Sequence, residues 1–180
     1  LLLGSITEHV LVRAPCPVLT VPNRLLAPAA ADAPSFARIL CAVDFSPASL
    51  QALAYARSLA EQPGATLTVA TVVERGPVVE PVMMGGSGTP SYDPRAVATA
   101  EARLRDCLAK DARGRAPAAE VVSEGKAYAE ILRLADERAA DLIVLGAHGH
   151  GVLDRLFFGS TAQHVVRQTP CPVLTVRLRP

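Results

Sequence analysis

No stretch of this 180-residue chain is apolar for long enough to cross a membrane, because Arg13, Arg24, Arg38 and Asp44 punctuate its N-terminal third. Leu1-Leu2-Leu3 is too short for a signal-peptide core and has no basic flank. The chain does not open on methionine, so its first residue is not expected to be the native start. Charge of either sign is scarce in excess: the formal net charge is +1, which gives no electrostatic case for nucleic acid or an anionic membrane. The four cysteines lack metal-ligand spacing, and two sit inside apolar strand-like runs; they are expected to be reduced, buried thiols of a cytoplasmic protein. Two familiar phosphate-binding patterns are also missing. Gly125-Lys126 is followed by alanine, so no Walker loop is present, and glycines at 146, 149 and 151 do not make the dinucleotide fingerprint.

What is present is an apolar half of the composition, enough to bury a sizeable core in one domain or one domain with an appendage. The most informative stretch runs from Gly146 to Thr161, GAHGHGVLDRLFFGST. It follows Leu142-Ile143-Val144-Leu145, short enough to be one buried parallel strand. Glycines then open a loop that backbone can use to approach a ligand. Gly159-Ser160-Thr161 restarts a helix, and Ser160-x-x-Gln163 has the form of a capping box. A helix N-terminus beside a glycine loop is a ready anion site.

The chain also repeats itself. Residues 4–21, GSITEHVLVRAPCPVLTV, align without a gap on residues 159–176, GSTAQHVVRQTPCPVLTV, with eleven of eighteen positions identical. Residues 1–23 are therefore expected to be the last helix and strand of a preceding copy of the domain, with Ser5-x-x-Glu8 keeping the capping box. Residues 24–37, rich in Pro and Ala, read as a linker, and 38–180 as the complete domain. In that domain strands are expected at Arg38–Val43, Thr66–Val73, Ala118–Val122, from Asp141 to the glycine loop, and at Pro172–Val176, with helices between them. Ser46-Pro47 fits the start of the first helix. Glu74 to Pro94, with four prolines and a GGSG cluster, reads as a long surface loop whose Met83-Met84 pair is an exposed turn. Alternation of strand and helix implies a three-layer α/β/α domain with a parallel sheet. Ligands of such sheets sit beyond the strands' carboxyl ends, where Asp44 follows the first strand and Gly146 ends the fourth.

Strand-Asp-Phe-Ser at 42–46, the segment AEILRLADERAADLIVLGAHG at 129–149, the pattern G-x2-G-x9-G-[ST] at Gly146, Gly149, Gly159 and Ser160, and PCPVLTV at 170–176 together resemble a universal stress protein domain. The resemblance covers about 38–177, with 1–23 similar to the tail of a second copy. It implies a five-stranded parallel sheet in the order 3-2-1-4-5, setting the first and fourth strands side by side. It also implies an adenine nucleotide site. Asp44, backed by Ala42, would contact adenine or ribose, and Val72 would line the adenine slot. Leu145 would pack beside the nucleotide, and Gly146 and Gly149 would admit its ribose and α-phosphate. Gly159, Ser160 and Thr161 would hold the β- and γ-phosphates. His148 is expected near the phosphates. The HxH pair with His150 lacks further ligands at metal spacing, so no metal site is expected. His164 and its copy His9 read as helix-packing residues.

The expected function is that of an ATP-binding regulatory module in stress response, with Mg2+ accompanying the triphosphate and no catalytic residue assigned. A slow ATPase and a nucleotide-free pairing module are the alternatives. Family domains pair through their last strand, so self-association through 172–177 is expected, with strand 17–21 able to pad the same edge. No nucleic-acid or membrane partner is expected.

Overall fold

A computed structural model describes residues 4–22, 36–74, 94–110, 117–147 and 158–178. Its elements in chain order are α1 (Ser5–Arg13), β1 (Val18–Thr20), β2 (Arg38–Ala42), α2 (Pro47–Ala60), β3 (Thr66–Val73), α3 (Pro94–Lys110), β4 (Ala118–Glu124), α4 (Ala127–Glu137), β5 (Leu142–Gly146), α5 (Ser160–Gln168) and β6 (Val173–Val176). The linker between 22 and 36, the loop holding Met83-Met84, and residues His148, Gly149 and His150 lie outside the described residues.

Period-two burial builds the sheet. Ile39, Cys41 and Val43 point to one face, where they meet Ala52, Leu53 and Ala56 of α2 and Leu104 and Leu108 of α3. Leu40 points to the other face, against Ile131, Leu134 and Ala135 of α4 and Ala162, Val165 and Val166 of α5. Both faces are thus covered, as an apolar parallel strand requires. The sheet order is β1-β6-β5-β2-β3-β4. Its five parallel strands, β4-β3-β2-β5-β6, follow the expected 3-2-1-4-5 order. The sheet differs from a five-stranded one by β1, which pairs antiparallel with β6 and closes that edge. Among the described residues no helix is long and apolar enough to cross a membrane.

The β1–β6 pairing has a symmetry that the repeat makes visible. Val18 lies opposite Thr175, Leu19 opposite Leu174 and Thr20 opposite Val173. Leu19 and Leu174 are equivalent in the aligned segments, as are Val18 and Val173 and Thr20 and Thr175, so the two similar segments meet around a local two-fold through the leucines. The helices obey the same relation. Glu8 of α1 and its equivalent Gln163 of α5 are in contact, Gln163 Nε2 donating to Glu8 Oε1 at 2.8 Å, with Arg167 adding an ion pair at 2.9 Å. Leu11 completes the contact inside the α4/α5 core, 1 % exposed.

That contact corrects both capping boxes. The N-caps of α1 and α5 are Gly4 and Gly159, and neither helix has a side-chain cap. Glu8 and Gln163 reach each other across the helix pair, where charge-assisted bonds from Arg167 and Gln163 converge on one carboxylate oxygen. The expected cap of α2 does form: Ser49 N donates to Ser46 Oγ at 3.3 Å, with Pro47 next in the chain.

The cysteines also divide. Cys41 and Cys171 are buried, whereas Cys107 is half-buried and Cys16, just before the edge strand β1, is exposed. Burial pushes the Cys41 thiol far above its ordinary range, with Cys107 adding to the effect. A thiol reagent is therefore expected to label Cys16 rapidly in the native protein and Cys41 and Cys171 only on unfolding, read by mass spectrometry. Equal, rapid labelling of all four contradicts this core.

Candidate functional site

Because β2, β3 and β5 are parallel neighbours, their carboxyl ends open along one margin of the sheet. A cleft of about 360 Å3 lies there, between the N-termini of α4 and α5. Its floor is apolar: Ala42 and Val43 at the end of β2, Ala70 and Val72 from β3, and Leu145 from β5. Ile131 and Ala127 of α4 form one wall, and Gly159, Ser160, Thr161 and Ala162 at the start of α5 form the other. Asp44, Glu74 and Ser49 supply the remaining polar lining with Ser160 and Thr161. Of the ten residues singled out from sequence, Ala42, Asp44, Val72, Leu145, Gly146, Gly159, Ser160 and Thr161 line this one cleft. His148 and Gly149 lie outside the described residues.

Each wall has a local cause. The Gly159 N–H donates to the carbonyl of Ala147 at 2.8 Å, which ties the start of α5 to the end of β5. The Gln163 N–H returns to the Gly159 carbonyl at 2.9 Å, so the helix is regular from its first turn. The N–H groups of Ser160, Thr161 and Ala162 then have no acceptor inside the helix, and the positive end of its dipole faces the cleft. On the opposite wall, Tyr128 of α4 stacks on His164 of α5 with ring centroids 4.5 Å apart, linking the two helices. His164 Nδ1 is 2.8 Å from the Ser160 carbonyl, placing the proton of that bond on Nδ1. His164 is thus held against α4 by the Tyr128 stack while staying solvent-exposed, and its copy His9 is exposed as well. Arg133 bonds Glu130 at 2.9 Å, and Ser123 bonds the same carboxylate; together they hold the Glu130 carboxyl below its ordinary range and fasten α4 to β4.

Asp44 turns its carboxylate toward the start of α2, where Oδ1 accepts the Ser46 N–H at 2.9 Å. Ser49 Oγ accepts the Asp44 N–H at 3.3 Å, so the strand end and helix start form one rigid corner. Phe45 between them has φ of 63° and carries the Arg103 guanidinium over its ring at 4.3 Å. Gly146 completes the corner. A Cβ there would lie 2.8 Å from Ser49 N and 3.0 Å from the Ala48 carbonyl carbon. The space that the sequence reading reserved for a ligand is therefore taken by the backbone of α2, and Gly146 acts first as the seat of that helix.

Glu74, Ser49, Ala70, Ala127 and Ile131 were not singled out from the sequence. Glu74 is the most consequential of them. It follows β3 as Asp44 follows β2, and its Oε1 accepts the Ala127 N–H at 3.0 Å. Lys126, the N-cap of α4, makes no side-chain cap, so this carboxylate serves the first turn in its place. Asp44 and Glu74 are the only charged side chains among the described residues lining the cleft. Among the described residues no group of three or more His, Cys, Asp or Glu could hold a metal ion.

A sequence model of the universal stress protein family matches residues 35–177. A universal stress protein of Thermus aquaticus is 35 % identical over 145 residues, covering 79 % of this chain and 99 % of the relative. The crystal structure of a universal stress protein in complex with cAMP is similar with a TM-score of 0.59 and 26 % identity, over 80 % of this chain and 98 % of that one. A universal stress protein structure from Archaeoglobus fulgidus has a TM-score of 0.66 and 26 % identity; the match covers 98 % of this chain but 56 % of that longer one.

Proposed function

Since the chain belongs to the universal stress protein family, we propose that its cleft binds an adenine nucleotide, with ATP as the expected ligand, and that the protein is a nucleotide-responsive regulatory module rather than an efficient enzyme. The observation that carries this reading is the start of α5. The first turn of α5, with its three free N–H groups and the hydroxyl-bearing Ser160 and Thr161, lines a cleft whose floor is apolar. Phosphates fit the first, and a flat base fits between Val72, Leu145 and Ile131. Asp44, whose Oδ1 accepts the Ser46 N–H, would offer its other carboxylate oxygen to ribose hydroxyls. Gly149, of the same motif, is proposed to admit the ribose and α-phosphate, with His148 near the phosphates. Mg2+ would arrive with the triphosphate. The relative solved with cAMP supports an adenine nucleotide as the ligand class.

The described lining suits holding more than transferring. Its charged groups are two carboxylates, and phosphoryl transfer calls for cations on the moving phosphoryl oxygens. Turnover is accordingly not part of the proposal.

Thermal unfolding tests it. Saturating ATP with Mg2+ at about a hundred times Kd is expected to add about 2.7 kcal/mol to folded-state stability. For a domain of this size that raises Tm by roughly 5–10 °C. Ser160→Glu is the matched variant. A carboxylate in the first turn of α5 suits the helix dipole, so the apo protein keeps or gains stability, while phosphate is repelled. No rise in the folded parent, or an equal rise in Ser160→Glu, contradicts the site.

A second reading concerns organisation. We propose that residues 4–21 are the closing helix and strand of a second copy of this fold, joined to the complete domain by the linker at 24–37. The local two-fold between β1 and β6 supports it, as does burial. Val165 is fully buried under α5, whereas its equivalent Val10 is 45 % exposed on α1, and Ile6 beside it is 79 % exposed. α1 therefore presents outward the face that α5 seats on its own sheet. The proposed self-association through 172–177 must compete with β1 for the same strand margin.

A further inference from the structure

We propose that Glu74 biases the cleft against adenine nucleotides that carry a second phosphate on the ribose; the inference rests on the nucleotide reading above. The cleft is ordered by charge. Along the carboxyl margin of the sheet the strand ends run β3, β2, β5, so Glu74, Asp44 and the Ala147-to-Gly159 junction follow one another. Two carboxylates stand on the β3–β2 side, and the N–H groups of α5 stand on the β5 side. A nucleotide with phosphates only on its 5′ oxygen matches that field when its phosphates meet α5 and its ribose meets Asp44. A phosphate on the 2′ or 3′ oxygen brings negative charge to the carboxylate side instead.

Glu74 cannot simply turn away from such a ligand. Its Oε1 is held at 3.0 Å by the Ala127 N–H at the start of α4, a helix that has no other side-chain cap. Neither Lys nor Arg is among the described lining residues to offset it. Glu74 is solvent-exposed, so the repulsion is expected to be moderate, on the order of severalfold to tenfold in affinity, and to weaken with salt.

The experiment compares AMP with adenosine 3′,5′-bisphosphate and adenosine 2′,5′-bisphosphate by isothermal titration calorimetry on the whole chain. Parent and Glu74→Gln are measured at about 50 mM and about 300 mM salt. Glutamine keeps an oxygen acceptor for the Ala127 N–H and removes only the charge. The parent is expected to favour AMP over both bisphosphates by about tenfold at low salt, and less at high salt. In Glu74→Gln the preference falls about threefold and loses most of its salt dependence. Bisphosphates that bind the parent as well as AMP overturn the inference, as does a preference that Glu74→Gln leaves unchanged. A parent that binds neither these three nor ATP with Mg2+ overturns the nucleotide reading itself, and one that binds ATP but not AMP or either bisphosphate overturns the inference alone.

Discussion

Gly146→Ala is expected to destabilise the protein by about 1–3 kcal/mol, the usual cost of forcing an extra carbon into a packed site. At roughly 2–4 °C per kcal/mol for a chain of this length, Tm falls by several degrees, and Gly146→Val falls further. The reason is that the added Cβ meets backbone rather than a side-chain tip. Ser49 N stands 2.8 Å away, and the Ala48 carbonyl carbon and Cβ at 3.0 and 3.2 Å. α2 cannot withdraw freely, because its first turn is fixed by the Ser46 cap, by Asp44 Oδ1 on Ser46 N, and by the burial of Ala48 and Ser49. Movement of that turn also moves Asp44 and Ser49, two walls of the cleft, so ATP affinity should fall with stability. Thermal and urea unfolding of the two variants measures the first effect. An alanine variant as stable as the parent contradicts the packing of α2 on Gly146.

Leu11→Asp is expected to release α1 and β1 together. Leu11 is 1 % exposed in the cluster formed by Val165, Val166 and Val173. An aspartate there loses the packing of a buried leucine, about 2–5 kcal/mol, and adds a carboxylate with no partner in that apolar cluster. Other contacts that hold the segment are polar: the three-residue β1–β6 pairing, the Thr175 hydroxyl on the Val18 carbonyl, the Gln163–Glu8 bond, and the half-exposed Glu8 ion pair with Arg167, which contributes little by itself. Once β1 leaves, the edge of β6 presents unpaired backbone in an apolar strand, a template for another chain. Two readouts follow. Amides of 18–20 lose their protection from solvent exchange, and light scattering shows association that rises with concentration above that of the parent. Unchanged protection at 18–20 contradicts the docking of α1 through Leu11.

How much of this was legible beforehand depended on whether the signal was local. Leu142–Leu145 and Thr66–Val73 are strands because buried parallel strands are short continuous apolar runs, and such runs declare themselves. Asp44 and Gly159–Thr161 come together across more than a hundred residues because β2 and β5 are neighbours, which the family resemblance supplied. The capping boxes failed for a non-local reason: Gln163 bonds Glu8, 155 positions away, and no local pattern weighs that competitor. Gly146 was visible as a glycine with a purpose, but whether a ligand or α2 filled its empty side required coordinates. Glu74 was within reach. Parallel strands end at one margin, so the residue that follows β3 stands beside the one that follows β2, and the rule that singled out Asp44 applies equally to Glu74. It was overlooked because it opens a proline-rich stretch read as loop. Cys16, expected to be buried with the other three cysteines, is exposed, and nothing in its local sequence separates it from the buried Cys171 of the matching PCPVLTV segment.

In the proposed nucleotide site, the phosphates sit on the first turn of α5. Titration of the isotope-labelled chain with ATP and Mg2+, followed by amide chemical shifts, tests it most directly. The expected result is a saturable set of changes largest at Ser160, Thr161 and Ala162, with smaller ones at Asp44 and Val72 across the cleft. A folded chain whose Ser160–Ala162 amides stay unmoved at millimolar ATP contradicts it.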